Sequence, residues 1–210
     1  RVAAIFNHRP TDKVPIYMGS FSSRVASAIL GRPNACVGGG VNQFYESKAL
    51  WEGPDAHAEF VERAFRDAMD LPRVLKLDYV RPSYWRLGER PAKQIDDFTF
   101  LYGQPDRAYR VMRFDPETEL YQVVDQQPRH ETTMKDIERQ VAEMEKGLSD
   151  YTPPNSLVSD WSRAMEAHGA ERAVHAFGIA VGLPYQDAAW LMAVALRPDL
   201  IRRYLDAVAE

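Results

Sequence analysis

Several things are scarce in this chain, and each shortage removes a class of function. There is one cysteine, Cys36, so no internal disulfide and no cysteine-built metal cluster can form, which fits a cytoplasmic protein. A lone cysteine reads first as a small buried apolar residue and only rarely as a nucleophile. No apolar run approaches the roughly 18 residues of a membrane-spanning helix; the longest, Ala188 to Leu196, is about half that length. Positive charge is not in excess. With 26 Lys and Arg against 30 Asp and Glu, the formal net charge is −4, which argues against the basic face that nucleic-acid binding needs. The five histidines have no metal-ligand spacing such as H-x-x-x-H. The chain opens on Arg1-Val2, without methionine or signal-peptide pattern, and its last helix has no stop signal, so it reads as an excised piece.

What is present is ordinary for a folded protein: 210 residues, 45% hydrophobic and 27% charged, enough for one sizeable domain or two small ones. The stretch from Arg73 to Arg86 organises the rest. Its first half, Val74 to Val80, reads as a short buried strand between Pro72 and Pro82. Its second half gathers Arg81, Tyr84, Trp85 and Arg86 in one loop. Loops leaving the carboxyl ends of strands are where α/β folds place chemistry.

Around this stretch the pattern predicts short helices over Arg1 to Arg9 and Arg24 to Leu30, with an extended segment at Val14 to Met18 between them. Gly38-Gly39-Gly40 lacks the G-x-x-x-x-G-K-[ST] pattern, which favours a flexible turn over a phosphate loop. Pro54-Asp55 opens a helix in which Val61, Ala64, Phe65, Ala68 and Met69 recur at three- and four-residue spacing. Phe98 to Tyr102, Tyr109 to Phe114 and Leu120 to Val124 read as three antiparallel strands separated by turn residues, a meander inserted over 98–125. Helices follow at Met134 to Leu148 and Trp161 to Ala167, the second stopped by His168-Gly169. Arg172 to Val181 reads as a second buried strand. Ala188 to Leu196 is apolar all round and so expected to be deeply packed, and a last amphipathic helix carries Leu200, Ile201, Tyr204, Leu205 and Val208. The order is α/β, with too few long strands for a closed barrel.

Individual side chains leave alternatives open. Asp78 reads as an acid/base or as an acceptor for ligand N–H groups, or else as a carboxylate capping a neighbouring loop. Arg81 either clamps a substrate carboxylate or pairs with Asp96 or Asp97. Tyr84 and Trp85 either wall a flat ligand or plug the end of a barrel. His175, among apolar neighbours, reads as a satisfied core histidine, His57 and His168 as exposed, and His8 as a tie for the N-terminal turn.

Asn7-His8-Arg9-Pro10-Thr-Asp12-Lys-Val14-Pro15 resembles the opening of the uroporphyrinogen decarboxylase superfamily. Arg81-Pro-Ser-Tyr-Trp85, Phe98-Thr-Phe-Leu-Tyr-Gly103, Met112-Arg-Phe-Asp-Pro-Glu117 and Leu196-Arg-Pro-Asp-Leu-Ile201 extend the resemblance over nearly the whole chain. It implies the N-terminal portion of a (β/α)8 TIM barrel, with N-terminal helices and the β insertion, and further strands beyond Glu210. The family holds carboxy-lyases that act on an acidic tetrapyrrole in porphyrin biosynthesis without metal or organic cofactor, and methyltransferases that work with corrinoid proteins, where zinc activates a thiol. By resemblance, Asp78 takes the place of the decarboxylase's aspartate at the end of the first barrel strand. Arg24 stands for the second arginine of an R-Q-A-G-R motif that meets substrate carboxylates, Ser20 lies near the place of the first, and Trp190 stands at the active-site tyrosine. These departures point away from uroporphyrinogen decarboxylation and toward the methyltransferase-like members. The resemblance then implies a small-molecule substrate, tetrapyrrole or methyl donor, a corrinoid protein partner and zinc ligands beyond Glu210, and it allows a homodimer.

Overall fold

The computed structural model describes residues 1–82, 87–127, 132–148, 150–152, 156–175, 182–184 and 187–209. They form a mixed α/β protein with eight helices and six strands in two sheets among the described residues. The chain divides into two compact units, residues 1–127 with 155–176, and residues 128–154 with 177–210. No helix among the described residues is long and apolar enough to cross a membrane, and neither sheet closes into a barrel.

The first unit begins with α1 (Val2–Phe6), none of whose residues is buried. The next helix, α2 (Ser23–Leu30), starts under the Ser22 side chain and stops at left-handed Gly31, φ +66°. Then come α3 (Gly39–Glu52) and α4 (Pro54–Val74), joined through Gly53 with Pro54 in the first turn. The triple glycine is therefore the start of a helix, not a turn. The ideal Cβ of any larger residue at position 40 would lie 2.4 Å from the Tyr121 amide nitrogen, so only glycine lets α3 approach the sheet this closely.

The expected strand from Val74 is shorter at its front than the apolar run suggests, because α4 continues through Val74. Its end is a Schellman closure without glycine: the Leu77 amide donates to the Pro72 carbonyl at 2.9 Å, the Lys76 amide donates to the Arg73 carbonyl at 3.3 Å, and Lys76 takes φ +53°. What remains is β1 (Tyr79–Val80), paired in parallel with β6 (Ala173–Val174) in the register Tyr79↔Ala173 and Val80↔Val174. Asp78 thus precedes the strand instead of closing it. Of the second expected strand, residues 173 and 174 are β6, and 176–181 lie outside the described residues.

Between them runs an antiparallel meander of β2 (Lys93–Asp96), β3 (Thr99–Gln104), β4 (Ala108–Asp115) and β5 (Leu120–Gln126). It has one strand more than the sequence pattern offers. One face, with Phe100, Tyr102, Met112, Phe114 and Tyr121, packs on Val41 and Phe44 of α3. Then α6 (Ser156–His168) contributes Ala164 to the core of α2, α4 and β1. His168, expected in an exposed loop, is buried in the last turn of α6, and burial holds its imidazole below the ordinary value.

The second unit comprises α5 (Met134–Leu148), α7 (Ala188–Leu196) and α8 (Pro198–Ala209). Ile137 and Val141 of α5 meet Trp190 and Ala193 of α7 and Leu200, Ile201 and Tyr204 of α8. The all-apolar α7 is not deeply packed on every side: Ala193 is fully buried, but Met192 is 55% and Leu196 69% exposed.

Candidate functional site

The two-residue pairing of β1 and β6 sorts the side chains around it. Val80 sits in the helical core with Ala68, Met69, Leu71 and Ala164, and its register partner Val174 packs on the same core. Side chains alternate along a strand, so Tyr79 and Ala173, then Arg81 and His175, project from the opposite face. The ladder continues to that level, since the His175 amide donates to the Val80 carbonyl at 2.8 Å. The rings agree: Tyr79 and His175 have centroids 6.2 Å apart.

The N-terminal extended segment lies along this face. Ile16 and Asp78 hold each other twice, the Asp78 amide donating to the Ile16 carbonyl at 3.1 Å and the Ile16 amide donating to Asp78 Oδ2 at 3.0 Å. This seats Tyr17 edge-on to Tyr79 at 5.3 Å and nearly parallel to His175 at 6.3 Å. Two residues on, the Gly19 carbonyl accepts from Arg81 Nη1 at 2.9 Å. Two phenols, an imidazole and a guanidinium thereby collect at the carboxyl edge of a parallel pair, on the face turned from the helices. An arginine there can grip a planar anion, histidine can move a proton near neutral pH, and the tyrosines can flank a flat ligand.

The other expected site residues fall in different places. Asp78 adjoins this group, but both of its oxygens have structural partners: Arg1 Nη1 donates to Oδ1 at 2.7 Å and the Ile16 amide to Oδ2. The Arg1 guanidinium, with the Ile16 amide, holds the Asp78 carboxyl below the usual carboxylate range, so it is an anion near neutral pH and not a proton donor. Arg24 stands in the first turn of α2, and its Nη2 donates to the Pro116 carbonyl at 2.7 Å, in the turn between β4 and β5. Trp190 is 2% exposed and packs on Tyr204, rings 4.5 Å apart, in the helical core of the other unit. Tyr84 and Trp85 lie outside the described residues.

Sequence reasoning missed Tyr17 and Tyr79 and assigned His175 to the core. The signal was available in the alternation itself. If Val80 and Val174 face the helices, then Tyr79, Arg81 and His175 cannot.

No protein-family profile, characterised protein or solved structure matches this chain.

Among the described residues, no group of three or more His, Cys, Asp and Glu side chains could hold a metal ion. Cys36 is fully buried, and burial pushes its thiol up to about 11, the environment of an inert cysteine. His57, expected in solvent, is half-buried with Nε2 at 3.4 Å from Oε1 of Glu46. Glu46 is buried, and its Oε2 accepts from the Gly88 amide at 3.0 Å.

Proposed function

We propose that this chain is the N-terminal part of a (β/α)8-barrel enzyme of the uroporphyrinogen decarboxylase superfamily, nearer its corrinoid-linked methyltransferases than its carboxy-lyases. The observation that carries the reading is the parallel β1–β6 pair, covered by helices on one face and bearing Tyr79, Arg81 and His175 on the other. That division suits two neighbouring barrel strands, whose outer face meets helices and whose carboxyl ends deliver side chains to the pocket. The motifs quoted above supply the family, and the absence of the R-Q-A-G-R arginine at Ser20 supplies the preference within it. In this reading Arg81 binds an anionic group of a small-molecule substrate, Tyr17 and Tyr79 wall it, and His175 holds or takes a proton beside it. Zinc and a corrinoid protein would be engaged by residues outside this chain, in a cytoplasmic setting.

Incubating the protein with uroporphyrinogen tests the preference directly. We expect no coproporphyrinogen, and efficient conversion would overturn the assignment in favour of the decarboxylase. A second reading has its own support. Ile95, Phe98, Leu120, Val123 and Val124 of the meander and its turns are each more than 40% exposed, as in a sheet that docks on a protein such as a corrinoid carrier without catalysis of its own. It predicts binding of that carrier with no methyl transfer to any thiol.

A further inference from the structure

A cavity of about 380 Å³ opens in the first unit between α2, α3 and the β4–β5 turn, at the small end of the range for small-molecule sites. None of its lining residues belongs to the β1–β6 face. Its apolar wall is phenylalanine. Phe44 and Phe114 stack at 4.3 Å with planes 7° apart, and Phe98 stands 6.1 Å from Phe44 and 6.5 Å from Phe114. Two of these rings are buried, but Phe98 is 42% exposed, so a ligand laid on it removes apolar surface from water.

The polar rim carries one charge of each sign, and both are held in place. Arg24 is fixed by the bond from Nη2 to the Pro116 carbonyl. Glu119 is delivered by a backbone at φ +58°, and its two oxygens accept the Ser23 and Arg24 amides at 3.1 Å each. Neither group is saturated. A guanidinium has five N–H donors and a carboxylate about four acceptor positions, of which these contacts use one on Arg24 and two on Glu119. A plain aromatic acid would meet Glu119, and a plain aromatic amine would meet Arg24, each at the cost of a like-charge contact. A molecule with both a carboxylate and an ammonium beside a ring satisfies the two charges and the wall together.

We propose that this cavity is a binding site for a free aromatic α-amino acid, with its carboxylate on Arg24, its ammonium on Glu119 and its ring against Phe98 and Phe114. The site does not depend on the barrel reading, and it stands if that reading fails.

The experiment is an amide-resolved NMR titration of the whole chain with L-phenylalanine, hydrocinnamate, which lacks the amine, and phenethylamine, which lacks the acid. Saturable shifts at Ser27, Asn34 and Phe114 are expected with L-phenylalanine, and both analogues should bind at least about tenfold more weakly. Arg24→Gln and Phe98→Ala, both at exposed positions, should each weaken L-phenylalanine by about tenfold, with amides of α5 and α8 unshifted. The proposal is overturned if L-phenylalanine fails to saturate at millimolar concentration, or if either analogue binds as well. It is also overturned if both variants bind like the native chain. Should a variant lose its fold, the analogue series on the native chain decides.

Discussion

Asp78 is the residue on which two accounts of this protein meet. As a catalytic or ligand-binding group it would need a free oxygen facing a pocket. In the structure one oxygen accepts from Arg1 and the other from the Ile16 amide, and it is this second bond that lays Tyr17 against Tyr79. Its carboxyl is held below the ordinary carboxylate range, first by the hydrogen bond from Arg1. A depressed folded value means that Asp78 stabilises the protein above the unfolded carboxyl value, about pH 4, and that this contribution is lost as pH falls through the folded value. Asp78→Asn should therefore have a lower urea midpoint than the native chain at neutral pH, and the gap should close as pH drops below about 4. A gap of the same size in acid would show that the carboxylate's charge is not what binds this corner together.

At the scale of elements, the end of α4 decides where the first strand begins. Lys76 adopts φ +53°, a conformation that costs an L-residue roughly 1 kcal/mol and glycine nothing. It does so because the Leu77 and Lys76 amides close on Pro72 and Arg73. Lys76→Gly should raise stability by about 0.5–1 kcal/mol, read from urea denaturation, and an unchanged or lower value would mean that the lysine stem makes contacts worth as much. The same residue explains why the strand was misjudged from sequence. Helix ends are legible through glycine, as at Gly31, and here the glycine is missing, so Val74 to Leu77 looked continuous with Tyr79 and Val80. By contrast, Ile137, Val141, Met144 and Leu148 declare α5 by spacing alone, and its observed span is the expected one. The helix α3 was illegible for the opposite reason. It packs Phe44 on the sheet and Ala49 beside Phe60 on α4, so apolar residues ring it without forming one stripe, and its start is masked by three glycines that a sequence alone cannot tell from a turn.

At the scale of the molecule, one thin sheet divides stability from chemistry. Two residues of β1 meet two residues of β6 across more than ninety positions of chain, and the meander and two helices are strung between them. So small a ladder contributes few hydrogen bonds, and its position is held by what its valines bury. Val80 is fully buried in the core of α2, α4 and α6, and that anchoring turns Tyr79, Arg81 and His175 away from the helices as a set. The two faces should then respond oppositely to substitution. Val80→Ala should cost about 2 kcal/mol through lost burial and a residual cavity, while ligand affinity of the surviving folded molecules changes little. Arg81→Lys keeps the charge but loses the planar fork, and His175→Gln keeps the polarity but loses proton transfer. Each should shift stability by less than about 1 kcal/mol and reduce turnover by about a hundredfold. Paired urea melts and assays on the three variants check this. If Arg81→Lys or His175→Gln instead destabilised the fold as much as Val80→Ala and left turnover intact, the face turned from the helices would be a second core, and the site would have to be sought elsewhere.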